Sequence, residues 1–140
     1  MIVTESANFK LPEDFLNKIS RLEQHTDEII PKVLEAGGEV VLEKVRGNLQ
    51  AVLSPDATGE LADALGLSPA RMDRDGNFNV KVGFDEPRRD GSSNAMVANI
   101  IEYGKHGQPP RPFLQPAKSA SRASCIEAMK RKLDEELGGV

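Results

Sequence analysis

A long apolar stripe constrains the first half of the chain. Ile30, Val33, Leu34, Val41, Leu42, Val45, Leu49 and Val52 step mostly by three and four, the spacing of one buried face of a helix. Thr26 or Asp27 can cap it. Pro31 has no N–H to donate, so it fits only if the helix starts within the preceding turn, which places the start near Asp27. Running to about Leu53, such a helix is roughly 40 Å long at 1.5 Å per residue. Gly37-Gly38 interrupts the stripe at about 1 kcal/mol per glycine relative to alanine. A kink, a close crossing by another element and a tolerated interruption all remain open.

The flanking segments are shorter. Lys10-Leu11-Pro12-Glu13-Asp14-Phe15 has a proline and acids where a helix begins, and Phe15, Ile19 and Leu22 continue at helical spacing. Residues 54–59 carry loop chemistry, and Glu60 to Leu65 suits one helical turn. Asp75-Gly76 is a strong hairpin signal. After it, Phe78, Val80, Val82 and Phe84 alternate with polar residues and glycine, the period of a strand with one buried face. Its partner is expected between Gly66 and Asp73, with Pro69 confining that partner to an edge or a bulge.

Asp85 to Asn94 reads as a mobile loop, and periodicity does not settle the type of the apolar segment Ala95 to Tyr103. Gly104 to Pro112, with three prolines and two glycines, is expected to be an extended, stiff connection. Phe113, Leu114, Ala117, Ala120, Ala123, Cys125, Ile126, Met129, Leu133 and Leu137 suit an amphipathic terminal helix that Gly138-Gly139 would stop. The expected fold class is α+β. A long helix in the N-terminal half and a C-terminal helix pack on a small antiparallel sheet, in a single domain over residues 1–140. One hairpin rarely stands alone, so further strands are expected from Ile2 to Thr4 or from 95 to 101, or else from a neighbouring subunit.

No apolar run approaches the roughly 20 residues of a bilayer helix, so no membrane partner is expected. Met1 to Glu5 lacks the regions of a signal peptide, which points to the cytosol of the producing cell. Charge divides unevenly. Residues 1–70 hold 6 Lys/Arg against 12 Asp/Glu, and residues 71–140 hold 12 against 10, so the halves carry −6 and +2. Such a dipole could steer head-to-tail contact, although solvated helix faces of mixed sign explain it as simply.

Chemistry is sparse. Glu102 and His106 lie four apart, but a metal pair lacks a third ligand, and His25 stands beside a helix cap. Asp73-Arg74-Asp75-Gly76 departs from a calcium loop, with its glycine at the fourth position and Phe84 at the twelfth. Cys125 has no partner base and reads as a small buried apolar residue. No phosphate loop, nucleophile elbow or dinucleotide fingerprint is present. Neither a reaction, a cofactor, a metal nor a small-molecule substrate is expected. Nucleic acid is the alternative partner. Residues 71–132 hold 12 Lys/Arg and 7 Asp/Glu, but the N-terminal half is acidic, Trp is absent and Tyr occurs once.

Three clusters stand out in fixed order: Pro55-Asp56-Ala57-Thr58-Gly59-Glu60-Leu61, then Ile101-Glu102-Tyr103-Gly104, then Arg111-Pro112-Phe113-Leu114-Gln115-Pro116-Ala117. Together they resemble the tail-component family named after gene product ten of the phage Hong Kong 97. The resemblance runs from the first helix to about residue 137. It departs from the family pattern at Val97-Ala98, at Lys105 and in the length of the 85–93 segment.

The resemblance implies a structural protein of a tailed phage or prophage. Such a protein acts in head–tail joining or tail completion as a ring-forming subunit, and resides in the virion after assembly in the host cytoplasm. Its partners would be other neck and tail proteins and copies of itself. Loop position and charge mark Arg88, Arg89, Lys105 and Arg111 as contacts to a neighbour. Phe113 suits a core plug, an interface anchor or both at once, and Tyr103 either a core position bonded at the rim or the same surface. The loops at 54–59 and 85–93 would order on docking.

Overall fold

A computed structural model describes residues 13, 26–55 and 57–138. The expected helix around Phe15, Ile19 and Leu22, His25 and the strand at Ile2 to Thr4 lie outside the described residues. The chain is α+β, as its periodicities indicate. Helix α1 spans Thr26–Val52 with Pro31 in its second turn, and α2 is the single turn Glu60–Ala64. Strands β1 Leu65–Leu67, β2 Arg71–Met72, β3 Phe78–Asn79 and β4 Val82–Phe84 follow. Helix α3 spans Asn94–Tyr103 and α4 spans Leu114–Gly138.

Helices α1 and α4 form the body of the fold and run antiparallel. Lys32 near the start of α1 pairs with Glu136 near the end of α4 at 3.6 Å, and Asn48 near the end of α1 donates to the Phe113 carbonyl at 3.3 Å. The facing residues form two rows with a step of four. Ile29, Val33, Gly37, Val41, Val45 and Leu49 are buried on α1, and Ala117, Ser121, Cys125, Met129 and Leu133 are buried on α4. Rows with that step are the ridges that interdigitate between packed helices. Of the expected stripe, Ile30, Leu34 and Val52 are only partly buried, and Ile29 takes the core position beside Ile30.

Gly37 and Gly38 are where other elements cross α1. A Cβ on Gly37 would stand 2.5 Å from Met129 Cγ and 3.0 Å from Cys125 Sγ. One on Gly38 would stand 2.7 Å from Leu67 Cδ1. Of the three open explanations for the pair, close crossing is the one the structure bears out.

The hairpin forms around Asp75-Gly76, but in two pieces. Ladder β2–β3 pairs Arg71 with Asn79 and Met72 with Phe78; ladder β1–β4 pairs Leu65 with Phe84 and Leu67 with Val82. Pro69 lies in the gap between β1 and β2, where a residue without an N–H interrupts the ladder. The Ser68 N–H to the Lys81 carbonyl at 2.8 Å prolongs the inner pairing.

Two expectations need correction. Residues 95–101 form no strand. They lie in α3, whose first turn is capped by the side chain of Ser93 and whose last N–H bond ends on Ile100. The connection after α3 is not extended throughout, because Lys105 and Gln108 exchange backbone bonds at 2.9 and 2.8 Å and close a tight turn. Gly104 makes that turn possible. Its φ is +76°, and a Cβ there would lie 2.8 Å from both the Gln108 carbonyl oxygen and the Pro110 nitrogen.

Candidate functional site

Three ionisable groups of the clusters, Glu60, Glu102 and Arg111, bond main-chain atoms. Glu102, in the last turn of α3, is 2% exposed. Its Oε1 accepts from the N–H groups of Phe113 at 2.9 Å and Leu114 at 2.6 Å, and its Oε2 from Gln115 at 3.4 Å. These are the orphan donors at the start of α4, and the next residue, Pro116, has no N–H to satisfy. A carboxylate at a helix N-terminus also gains from the helix dipole. The second cluster thus caps the helix that the third opens.

Arg111 does the converse. Its Nη1 donates to the Val52 carbonyl at 2.5 Å, at the C-terminal end of α1, and its N–H donates to the Ile101 carbonyl at 2.7 Å. A cation at a helix C-terminus is the favourable sign. Phe113, between these two residues' targets, is fully buried and meets Phe84 edge-on with ring centroids 6.4 Å apart. It is therefore the core plug beneath this connection.

The first cluster is tied to the 85–93 segment. Glu60 accepts from the Arg89 N–H at 2.5 Å and faces the Arg88 guanidinium at 3.5 Å. Arg88 also donates to Asn94 Oδ1 at 2.9 Å. Glu86 reaches forward to the start of α3, accepting from the N–H groups of Ala95 at 2.6 Å and Asn94 at 3.0 Å and from the Ser93 hydroxyl. The Ala95 bond, with those of Asn94 and Ser93 and the charge of Arg88, holds its carboxyl below the usual glutamate range. The Ser92 hydroxyl and N–H hold Asp90 low in the same way.

Two surface concavities adjoin these groups. One, of about 250 Å³, is lined by Leu53, Thr58, Gly59, Leu61, Arg88 and Ile101 among others. The second, about 470 Å³ and open to solvent, is lined by Tyr103, Gly104, Lys105 and the turn as far as Pro110. Among the described residues, no group of three or more His, Cys, Asp or Glu is placed to hold a metal ion. No described helix is long and apolar enough to cross a membrane. Cys125 is buried, and that burial pushes its thiol up to about 11.

The six residues expected at an interface therefore divide. Phe113 is in the core, while Arg88 and Arg111 are half-buried and bonded inside the chain. Arg89, Tyr103 and Lys105 have exposed side chains, and Tyr103 and Lys105 line the same open concavity. The capping role of Glu102 escaped the sequence reading. Its signal is faint: it is the only charge in the apolar segment Ala95 to Tyr103, where a buried and satisfied carboxylate is the economical explanation.

No curated protein and no solved structure matches the chain. A family model described as "Bacteriophage HK97-gp10, putative tail-component" matches residues 13–104, about two-thirds of the chain. The match holds the first two clusters and ends at Gly104, short of the third, so it is narrower than the three-cluster resemblance. With the Thr-Gly-Glu-Leu step and the Glu-Tyr-Gly triplet inside the matched span and joined to the helix framework as described, this chain belongs to the HK97 gp10 family of phage tail components.

Proposed function

We propose that this protein is a structural subunit of a tailed phage or prophage virion, acting in head–tail joining or tail completion as one member of a ring. The observation that carries the reading is the use made of Glu102, Arg111, Glu86 and Glu60. Each neutralises helix ends or loop main chain, and none converges on a cavity where a substrate could be activated. A catalytic site needs such convergence of titratable groups. A subunit that presents a rigid surface needs its loops and helix ends fixed instead, because pre-ordered groups lower the entropic cost of docking.

Head-to-tail contacts between unlike surfaces close into a ring when the rotation permits. Ala57, Thr58, Gly59 and Arg88 of the two connecting segments line the smaller concavity, and these held segments are the ones that would meet a neighbour. Deletion of the gene from the producing phage tests the reading. Electron microscopy should show filled heads and tails that do not join, or tails of defective form, restored by the gene in trans. Normal joined particles after deletion would overturn it.

A further inference from the structure

We propose that Asp75-Gly76 is a modification site, where the chain converts spontaneously to isoaspartate, and that Ser92 shields Asp90-Gly91 from the same reaction. The proposal is independent of the ring reading.

The tripeptide Arg-Asp-Gly occurs twice, as Arg74-Asp75-Gly76 and as Arg89-Asp90-Gly91. An Asp-Gly step is the least hindered one for this chemistry, because no side chain shields the glycine nitrogen. That nitrogen bonds to the aspartate Cγ, the Cγ–O bond breaks, and the N–H proton leaves with the carboxyl hydroxyl as water. Water then opens the five-membered imide. Where it breaks the bond from nitrogen to the original main-chain carbonyl carbon, the chain afterwards runs through the side chain, with no net change in composition.

The backbone treats the two steps alike. Both aspartates are exposed, both glycines have a positive φ, +81° and +86°, and each glycine N–H donates to the carbonyl three residues back. The side chains separate them. Among the described residues the Asp75 carboxylate makes no hydrogen bond or ion pair, and only its backbone N–H is engaged, on Asp73 Oδ1 at 2.9 Å. Asp90 Oδ1 instead accepts from the Ser92 N–H at 2.9 Å and from the Ser92 hydroxyl at 2.5 Å. Both bonds must break before Cγ meets the Gly91 nitrogen, and both favour the ionised carboxylate, the unreactive form. The nucleophiles differ in the same sense, since the Gly91 N–H is held at 2.9 Å and the Gly76 N–H at 3.2 Å.

The divided hairpin confines the consequence. Asp73 ties the tip together: its Oδ1 also accepts from the Asn77 N–H at 2.9 Å, and its own N–H donates to the Asn77 carbonyl at 2.8 Å. An extra backbone methylene between these residues lengthens the tip and pulls against the two pairs of the β2–β3 ladder. The gap at Pro69 separates that ladder from β1–β4, so the inner pairing stays intact.

Ageing of the purified full-length protein in mildly acidic buffer tests this, with isoaspartate located by peptide mapping and electron-transfer fragmentation. Isoaspartate should accumulate at position 75 about tenfold faster than at 90, the factor expected when two hydrogen bonds must first break. In guanidinium the two identical tripeptides should react at nearly equal rates. Ser92→Ala should bring position 90 up toward position 75 in the native protein, with an unchanged urea midpoint showing that the variant is folded. In aged protein, amide exchange should speed from Met72 to Asn79 and stay as it was from Leu65 to Leu67. No isoaspartate at 75, equal native rates at the two positions, a preference for 75 that persists in guanidinium, or a Ser92→Ala protein still protected at 90 would each overturn the proposal.

Discussion

Gly37 of α1 lies against Met129 of α4 so closely that a Cβ on the glycine would stand 2.5 Å from Met129 Cγ and 2.7 Å from its sulfur. Gly37→Ala therefore overpacks the crossing, at a cost of about 1–3 kcal/mol. The better helix propensity of alanine returns about 1 kcal/mol. A net loss of about 1 kcal/mol is expected in urea denaturation, and Met129→Ala in the same chain should remove the added penalty. Gly47→Ala, in the same helix with nothing within 4 Å, should instead stabilise by roughly 1 kcal/mol. Equal signs for the two alanines would dismiss the crossing as the reason for the glycine.

Glu102 accepts from the first N–H groups of α4. Glu102→Ala leaves the N–H groups of Phe113, Leu114 and Gln115 without their acceptor inside the protein and should cost about 2–4 kcal/mol. Glu102→Gln keeps one acceptor oxygen but loses the charge, and should cost about half as much. Amide hydrogen exchange should speed first at Phe113 and Leu114. Unchanged protection there in Glu102→Ala would show that another group holds the helix start.

What could be read from the sequence depended on how far the determining contacts lie along the chain. The two long helices and the Asp75-Gly76 hairpin follow from local periodicity and turn chemistry, and both are present where expected. Choosing Ile29 over Ile30 required the direction of α4, since two adjacent apolar residues on a helix differ only in which neighbour they meet. Residues 95–103 are apolar apart from Asn99 and Glu102, too short and too uniform for either period to show. The cap that makes them helical comes from Ser93 beside them and from Glu86 across a turn. Glu102 and Leu114 meet only because the Gly104–Pro110 turn reverses the chain, a path that no periodic pattern encodes. The interface residues were chosen for charge and loop position. Two of the four cations proved to be bonded within the chain, which charge alone does not reveal.

Glu86 links stability to pH. Its folded carboxyl titrates below the ordinary value of 4.5, chiefly because the Ala95 N–H bonds the charged form. The unfolded chain therefore takes up protons first as the pH falls. The stabilisation is complete above about 4.5 and is lost as the pH drops through the folded value. Asp90 acts in the same direction from 3.8 downward. Glu86→Gln should flatten the acid side of the urea-midpoint profile and leave the neutral-pH dependence unchanged. An acid limb as steep as the wild type's would exclude Glu86 as a contributor.

Ser121 is 3% exposed in the row of α4 that faces α1, and its hydroxyl has no hydrogen-bond partner within the described residues. Its neighbours in that row, Ala117 and Cys125, are small and apolar. Ser121→Ala removes a buried polar atom without adding volume and improves helix propensity, so a gain of about 1 kcal/mol in urea denaturation is expected. A loss of that size would mean that the hydroxyl is satisfied in solution.

Cys125 provides a probe of the same interface. Burial raises its thiol from 9.0 to about 11, so the native protein keeps the proton at pH values where the unfolded chain gives it up. Stability from this group is intact below about 9 and declines as the pH rises from there toward 11. At mildly alkaline pH an aromatic disulfide reagent should therefore modify the thiol only as fast as the α1–α4 pair opens, since the thiolate is the nucleophile. The rate should rise with urea along with unfolding. Gly37→Ala, which strains the crossing beside Cys125, should accelerate it in native buffer, and Gly47→Ala should slow it. Rapid labelling of the wild type, insensitive to either substitution, would contradict the packing of Cys125 between the two helices.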